Sequence, residues 1–329
     1  MSAARIFLVA LMLIAVIPGW SQQPSRTKIY TGDIAIFWKA YDQVVATRDT
    51  ATQIQLIQKL YIDLAHEGLD DLIRVRQMKA KNWVTSINAI PAFWESVRTK
   101  TLAIPSQTGS IDAIMRRYKA LYPAFQQPTV YFTIGVLKTG GVTRHDRILI
   151  GTEIIAADST VNTTGLSLFL RETFRLNQGI PYLVAHEACH TQQKSLDEEV
   201  DTVSDLLGYC LREGACDLVT ELVLQKPIRT AYTVYGQQHE AELWKKFKVD
   251  MNAAKTEDWL YNSGTVQKGM ADLGYYMGYT ICKAYYTQAK NKTQALAEII
   301  ELDFANAKSW HDFLDRSGYA QRMDQKTKP

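Results

Sequence analysis

Two imidazoles, His186 and His190, stand four residues apart, with Glu187 beside the first. On a helix of 3.6 residues per turn, positions i and i+4 lie nearly above one another, so both rings leave one face and can share one ion. Neutral imidazole is a common zinc ligand, and a carboxylate next to the pair can take a proton from water held there. Two histidines leave a catalytic zinc site unfinished, because such sites take three protein ligands and keep a fourth position open. Glu213 is the candidate third ligand. The stretch between His190 and Glu213 is long enough for a turn and a return helix. Asp217 falls one turn after Glu213, where it can accept the ring N–H of a ligating histidine and fix its tautomer. Gly214 lets a second helix approach beside the ligand, and Glu221 is a weaker candidate for the same surroundings.

Other chemistry-bearing residues add less. His66, His145, His239 and His311 lack partners at ligand spacing, and His239 could reach the site only from a loop. Leu273 to Tyr286 reads as an apolar, aromatic core helix, from which Tyr276 or Tyr279 could donate to an oxyanion developing in the site. Cys189 lies off the face shared by His186 and His190, which disfavours it as a fourth ligand. The pairing of Cys189, Cys210, Cys216 and Cys282 stays open.

The elements that must position these groups follow from periodicity. Apolar residues at helical spacing predict helices after Thr31-Gly32-Asp33, over Thr50 to Leu64, from Gly68 to Met78, across Ile87 to Arg98 with Pro91 in a first turn, and over Ile111 to Leu121. Val130 to Val136 and Arg147 to Gly151 are β-branched or apolar runs bounded by Pro and Gly, and read as strands, paired antiparallel or within a small sheet, with a turn at Gly140-Gly141. Gly179-Ile180-Pro181 opens the helix carrying His186 and His190. Helices over Asp197 to Leu207 and Tyr209 to Leu224 follow, separated at Gly208, and two short helices close the chain. The expected class is α+β, predominantly helical, with a small β-sheet before the His186–His190 helix. The expected divisions are a signal peptide over 1–21, an N-terminal helical region over 28–125, a metal-site region over 126–320 packed against it, and a flexible tail over 321–329.

Arg5 precedes an apolar run, Ile6 to Ile17, followed by Pro18, Gly19 and Ser21. That run is shorter than the ~20 residues a membrane span needs and reads as a secretory signal, so the protein is expected to be exported, periplasmic or secreted. No cysteine lies near the expected cut, which argues against a lipid-anchored mature terminus. A 329-residue chain with 47% hydrophobic and 22% charged residues has the composition of a folded globular protein. Its net charge of +3, without a Lys/Arg block, gives no footprint for nucleic acid.

The combination His186-Glu187-x-x-His190 with Glu213-x-x-x-Asp217 resembles the gluzincin pattern of thermolysin-like metallopeptidases. With Asp33-Ile34-x-x-Phe37-Trp38, Tyr61 to Arg76, Tyr131 to Gly151 and Tyr275-Tyr276-x-Gly278-Tyr279, most of 28–320 resembles a bacterial family of predicted zinc-dependent proteases related to gliding-motility lipoproteins. One departure is Gln192, polar where such helices keep an apolar residue. The resemblance implies a zincin-like fold, a single Zn2+ held by His186, His190 and Glu213, and Glu187 as general base. It also implies a peptide or protein substrate, which enzymes of this kind commonly pair with an edge strand. The expected function is that of an exported zinc metallopeptidase. The alternative is a zinc-containing cell-envelope binding or structural protein without turnover.

Overall fold

The computed structural model describes residues 26–193, 203–262 and 270–326. The expected signal peptide lies outside the described residues. The chain opens with β1 (Ile29–Tyr30) and six helices: α1 (Gly32–Val45), α2 (Thr50–Leu60), α3 (Glu67–Arg76), α4 (Ala80–Ala89), α5 (Pro91–Gln107) and α6 (Ile111–Leu121). Next come β2 (Thr129–Thr133), β3 (Gly141–Arg144), β4 (Arg147–Gly151), α7 (Thr152–Ile155), α8 (Leu168–Arg175) and α9 (Gly179–His190). The last group is α10 (Leu206–Leu224), α11 (Ala231–Asp250), α12 (Leu273–Gln288), α13 (Lys292–Ile300), α14 (Ala307–Ser317) and α15 (Tyr319–Lys326). The protein is thus predominantly helical α+β, with a four-stranded sheet before α9.

Several boundaries differ from expectation for local reasons. The residue before a proline disfavours the helical region, so Ile90 breaks the chain and Pro91 starts a new helix, α5, at its first position. Leu206 and Leu207 do not end a helix begun at Asp197. They begin α10, because the Asp205 side chain caps it by accepting the Gly208 N–H at 3.0 Å; residues 197–202 lie outside the described residues. Residues 321–326, expected in a flexible tail, are helical within α15, held by the buried Tyr319 and Met323.

The sheet order is β1-β2-β4-β3. The strands β2 and β4 pair in parallel, Thr129 opposite Arg147 through Thr133 opposite Gly151, and not as a hairpin. The chain first turns back through β3, which forms a hairpin with β4 across His145-Asp146; His145 adopts φ 51° there. Val130, Phe132, Ile148, Leu149 and Ile150 are buried, which explains why β2 and β4 read as continuous apolar runs. This topology leaves β3 at the sheet edge.

Two apolar cores follow. The first is built mainly from Ile34 to Cys189, uniting α1–α6, the sheet and α9, with Leu296 and Ile300 of α13 added to it. The second gathers Val203 to Met323. Helix α10 belongs to both: Cys216, Val219 and Val223 enter the first core, and Leu207, Leu211 and Leu218 the second. Backbone meets backbone where α10 crosses α12. A Cβ on Gly214 would lie 2.0 Å from the Tyr279 backbone N, and one on Gly278 would lie 1.7 Å from the Cys210 carbonyl oxygen. Only glycine fits at either position.

Candidate metal centre

Helix α9 carries His186, Glu187 and His190 on its buried side, and α10 presents Glu213 and Asp217 to them. His186 Nε2 lies 3.4 Å from Glu213 Oε2, and His190 Nε2 lies 3.2 Å from the same oxygen. In a tetrahedron with bonds of ~2.0–2.1 Å, ligand atoms sit about 3.3 Å apart. Both imidazole-to-carboxylate separations match that spacing, and the donor types are ones a small divalent cation such as zinc accepts.

Each imidazole is oriented from its other nitrogen. His186 Nδ1 donates to Asp217 Oδ1 at 3.0 Å, and His190 Nδ1 donates to Gln193 Oε1 at 2.8 Å. Gln193 is fixed in turn by donating to the Arg212 carbonyl at 2.7 Å. Asp217 is fully buried and also accepts from Tyr182 and Tyr232 hydroxyls, each at 2.9 Å. With Nδ1 engaged as a donor, both Nε2 atoms face Glu213, the arrangement in which a histidine ligates metal. On the far side of Glu213, Tyr261 donates to Oε1 at 2.7 Å, leaving Oε2 to the histidines.

The electrostatics favour a cation among these groups. Burial works against charge on His186, yet its hydrogen bonds to Asp217 and Glu213 prevail and raise its pKa well above the ordinary value. Burial pushes Glu213 up, but the His190 and His186 charges outweigh it and hold the carboxyl well below its usual range. Glu187 differs. Burial raises its pKa, and the two histidines offset this only in part. Its carboxyl lies against the start of β3, where a Cβ on Gly141 would stand 2.7 Å from Oε1. Gly141, expected in a turn, is thus the first residue of the edge strand and makes room for Glu187.

Cys216 also lies among these groups, its sulfur with the two imidazoles inside a span of 4.8 Å. It approaches His190 from Nδ1, at 3.4 Å, on the side already taken by Gln193. The two Nε2 atoms converge on Glu213, so Glu213 is the better third donor. All four cysteines are free and buried.

Neither Tyr276 nor Tyr279 is in contact with His186, His190 or Glu213 among the described residues. Tyr276 is buried against Gly236 of α11, and the Tyr279 hydroxyl donates to Glu221 at 2.5 Å while accepting from Lys283 at 2.6 Å. The neighbour Tyr275 faces the site instead, its ring 6.2 Å from that of His186 and 5.3 Å from that of Tyr232. Its hydroxyl makes no hydrogen bond among the described residues. The helix turns about 100° per residue, so one position decides which tyrosine reaches the candidate ligands. Glu221, engaged by Tyr279 and Lys283, serves a different cluster. His239 bonds the Tyr235 carbonyl and stacks on its ring. Gln192 lies past the end of α9 and bonds the Gln126 backbone, so its polarity does not disturb the helix. Sequence reasoning also missed Tyr182 and Gln193. Both carry a spacing signal, four residues before His186 and three after His190. Tyr261 sits in a loop and carries none.

Residues 22–321 match the family model described as gliding motility protein GldB. The chain belongs to that family. No curated protein and no solved structure matches it. Among the described residues of this GldB-family chain, no helix is long and apolar enough to cross a membrane.

Proposed function

We propose that this protein is an exported zinc-dependent metallohydrolase acting on peptide bonds. The convergence of His186 Nε2 and His190 Nε2 on one oxygen of Glu213, with Glu187 alongside, carries this reading. His186, His190 and Glu213 would hold the ion, a gluzincin-like set. Bound there, zinc would act as a Lewis acid and bring the pKa of a water towards ~7. The side chains supply the rest. Glu187, buried with a raised pKa, takes the proton of the attacking water and delivers it to the leaving amine. Asp217 and Gln193 keep the rings aimed. The Tyr275 hydroxyl, without a hydrogen bond among the described residues, donates to the oxygen on which charge develops. The edge position of β3 against Glu187 favours an extended peptide, which can add to the sheet through backbone hydrogen bonds. Membership of a motility-associated family and the apolar run Ile6 to Ile17 support a cell-envelope or secreted location.

Metal analysis of purified wild type and His186→Ala, with a diverse peptide mixture read by mass spectrometry, tests this. Wild type should carry about one zinc and His186→Ala should lose it. Glu187→Gln should keep the metal and cleave about 10²–10⁴-fold more slowly. Absence of zinc from wild type, or undiminished cleavage by Glu187→Gln, would sink the reading. The family description names motility and no catalysis, which favours a second reading: a zinc-containing envelope binding protein without turnover. In that case the metal results hold and no peptide is cut.

A further inference from the structure

Arg76 ends α3 and reaches to the start of β3. Its Nη2 donates to Thr139 Oγ1 at 3.0 Å, and that hydroxyl donates to the Gly141 carbonyl at 2.5 Å. Gly141 is the residue packed on the Glu187 carboxyl, so three successive contacts lead from the guanidinium to the general base. The loop carrying Thr139 is fixed from within. Fully buried Glu153 accepts the Gly135 and Leu137 N–H groups, each at 2.9 Å.

Among the described residues Arg76 has no carboxylate partner, whereas Arg98 holds Asp42 and Arg147 holds Asp71. Its Nε is buried without an acceptor. A guanidinium offers five donors in a planar fork that matches a carboxylate, and among the described residues the Nη2 contact to Thr139 is the one hydrogen bond that the outer nitrogens of Arg76 make.

We propose that Arg76 receives the carboxylate of a peptide substrate, so that the substrates are peptides cut close to a free C-terminus. This rests on the peptidase reading above. A peptide laid antiparallel along β3, the orientation with the more stable ladder, places its C-terminal end at the strand's first residue, Gly141. Glu187 is already there, so only a short piece of substrate follows the scissile bond before Arg76 is met. An acidic side chain at that place would offer the same chemistry.

The test is calorimetric binding to zinc-supplied Glu187→Gln protein, which does not depend on turnover. Three probes suffice: Ala-Ala-Phe-Ala-Ala with a free C-terminus, its C-terminal amide, and the amide with Asp as the penultimate residue. The free acid should bind at least tenfold tighter than the plain amide. Adding Arg76→Gln should abolish that difference, and Arg76→Lys should keep part of it. Tight binding of the Asp-containing amide would assign the ligand to an acidic side chain in place of the terminus. Equal binding of acid and amide, a preference that survives Arg76→Gln, or no binding by any probe overturns the proposal. Carboxylate-dependent binding with no cleavage by wild type would overturn the peptidase reading and leave Arg76 its ligand.

Discussion

Each imidazole of the pair is aimed by a different acceptor, charged Asp217 for His186 and neutral Gln193 for His190. The asymmetry concentrates negative charge behind His186, and Asp217 is itself held by two tyrosines. The third tyrosine of this group, Tyr275, has no acceptor among the described residues, and its hydroxyl is where a developing oxyanion could be met. Tyr275→Phe is therefore expected to lower kcat about 10²–10³-fold with little change in KM. Tyr276→Phe, a change inside the second core, serves as the control. Steady-state kinetics on one peptide decide it, and equal kcat for Tyr275→Phe and wild type would remove the assignment. The clustering of His186, His190, Glu213 and Asp217 was legible in the sequence because an i, i+4 spacing fixes a shared face whatever surrounds the helix. The choice among Tyr275, Tyr276 and Tyr279 was not, because it depends on which face α12 turns to α10, and nothing local to α12 states that.

Helix α10 has to serve both cores and present Glu213, and its crossing with α12 leaves no room for a side chain at Gly214. Gly214→Ala must push the two helices apart. We expect a loss of about 3 kcal/mol in urea denaturation, with weaker metal retention because Glu213 moves with its neighbour. Retained stability would show that the helices can separate without cost. A second element-level link joins α5 to the loop after α7: Lys100 Nζ lies 2.8 Å from Asp158, which also accepts from the Thr160 N–H and hydroxyl. The hydrogen bonds from Lys100 and Thr160 hold the Asp158 carboxyl down at about 2. A folded pKa below the ordinary 3.8 gives a contribution that is complete above that value and fades as pH falls towards 2. Lys100→Met should be less stable than wild type at pH 6, by under about 1 kcal/mol because the pair is half-exposed, and the gap should close between pH 4 and 2. A gap independent of pH would point to packing in place of charge. Most helices were readable from periodicity and caps, as the near agreement for α1, α2, α3 and α6 reflects. The parallel pairing of β2 with β4 was not readable, because their patterns fit either direction and only the short half-buried β3 between them decides.

The candidate centre sits where the two cores meet, with α9 rooted in the first, Tyr275 in the second and Glu213 on the helix they share. A bound ion would therefore tie the whole molecule, and its removal would leave the buried Glu213 carboxylate facing two imidazoles with only a proton to balance them. A ligand at 100 times its Kd stabilises the folded state by about 2.7 kcal/mol. At ~2.1 cal/mol/K of unfolding entropy per residue, in a chain of this size that corresponds to a shift in Tm of about 4 °C. Scanning calorimetry of zinc-loaded protein, with and without EDTA, should show a fall of that order in one common transition, since neither core can lose α10 and stay folded. His186→Ala should start near the lower value and not respond to EDTA. Were the ion seated in one core alone, EDTA would split the transition and lower only its first part. Were there no ion at all, wild type and His186→Ala would melt alike with or without the chelator.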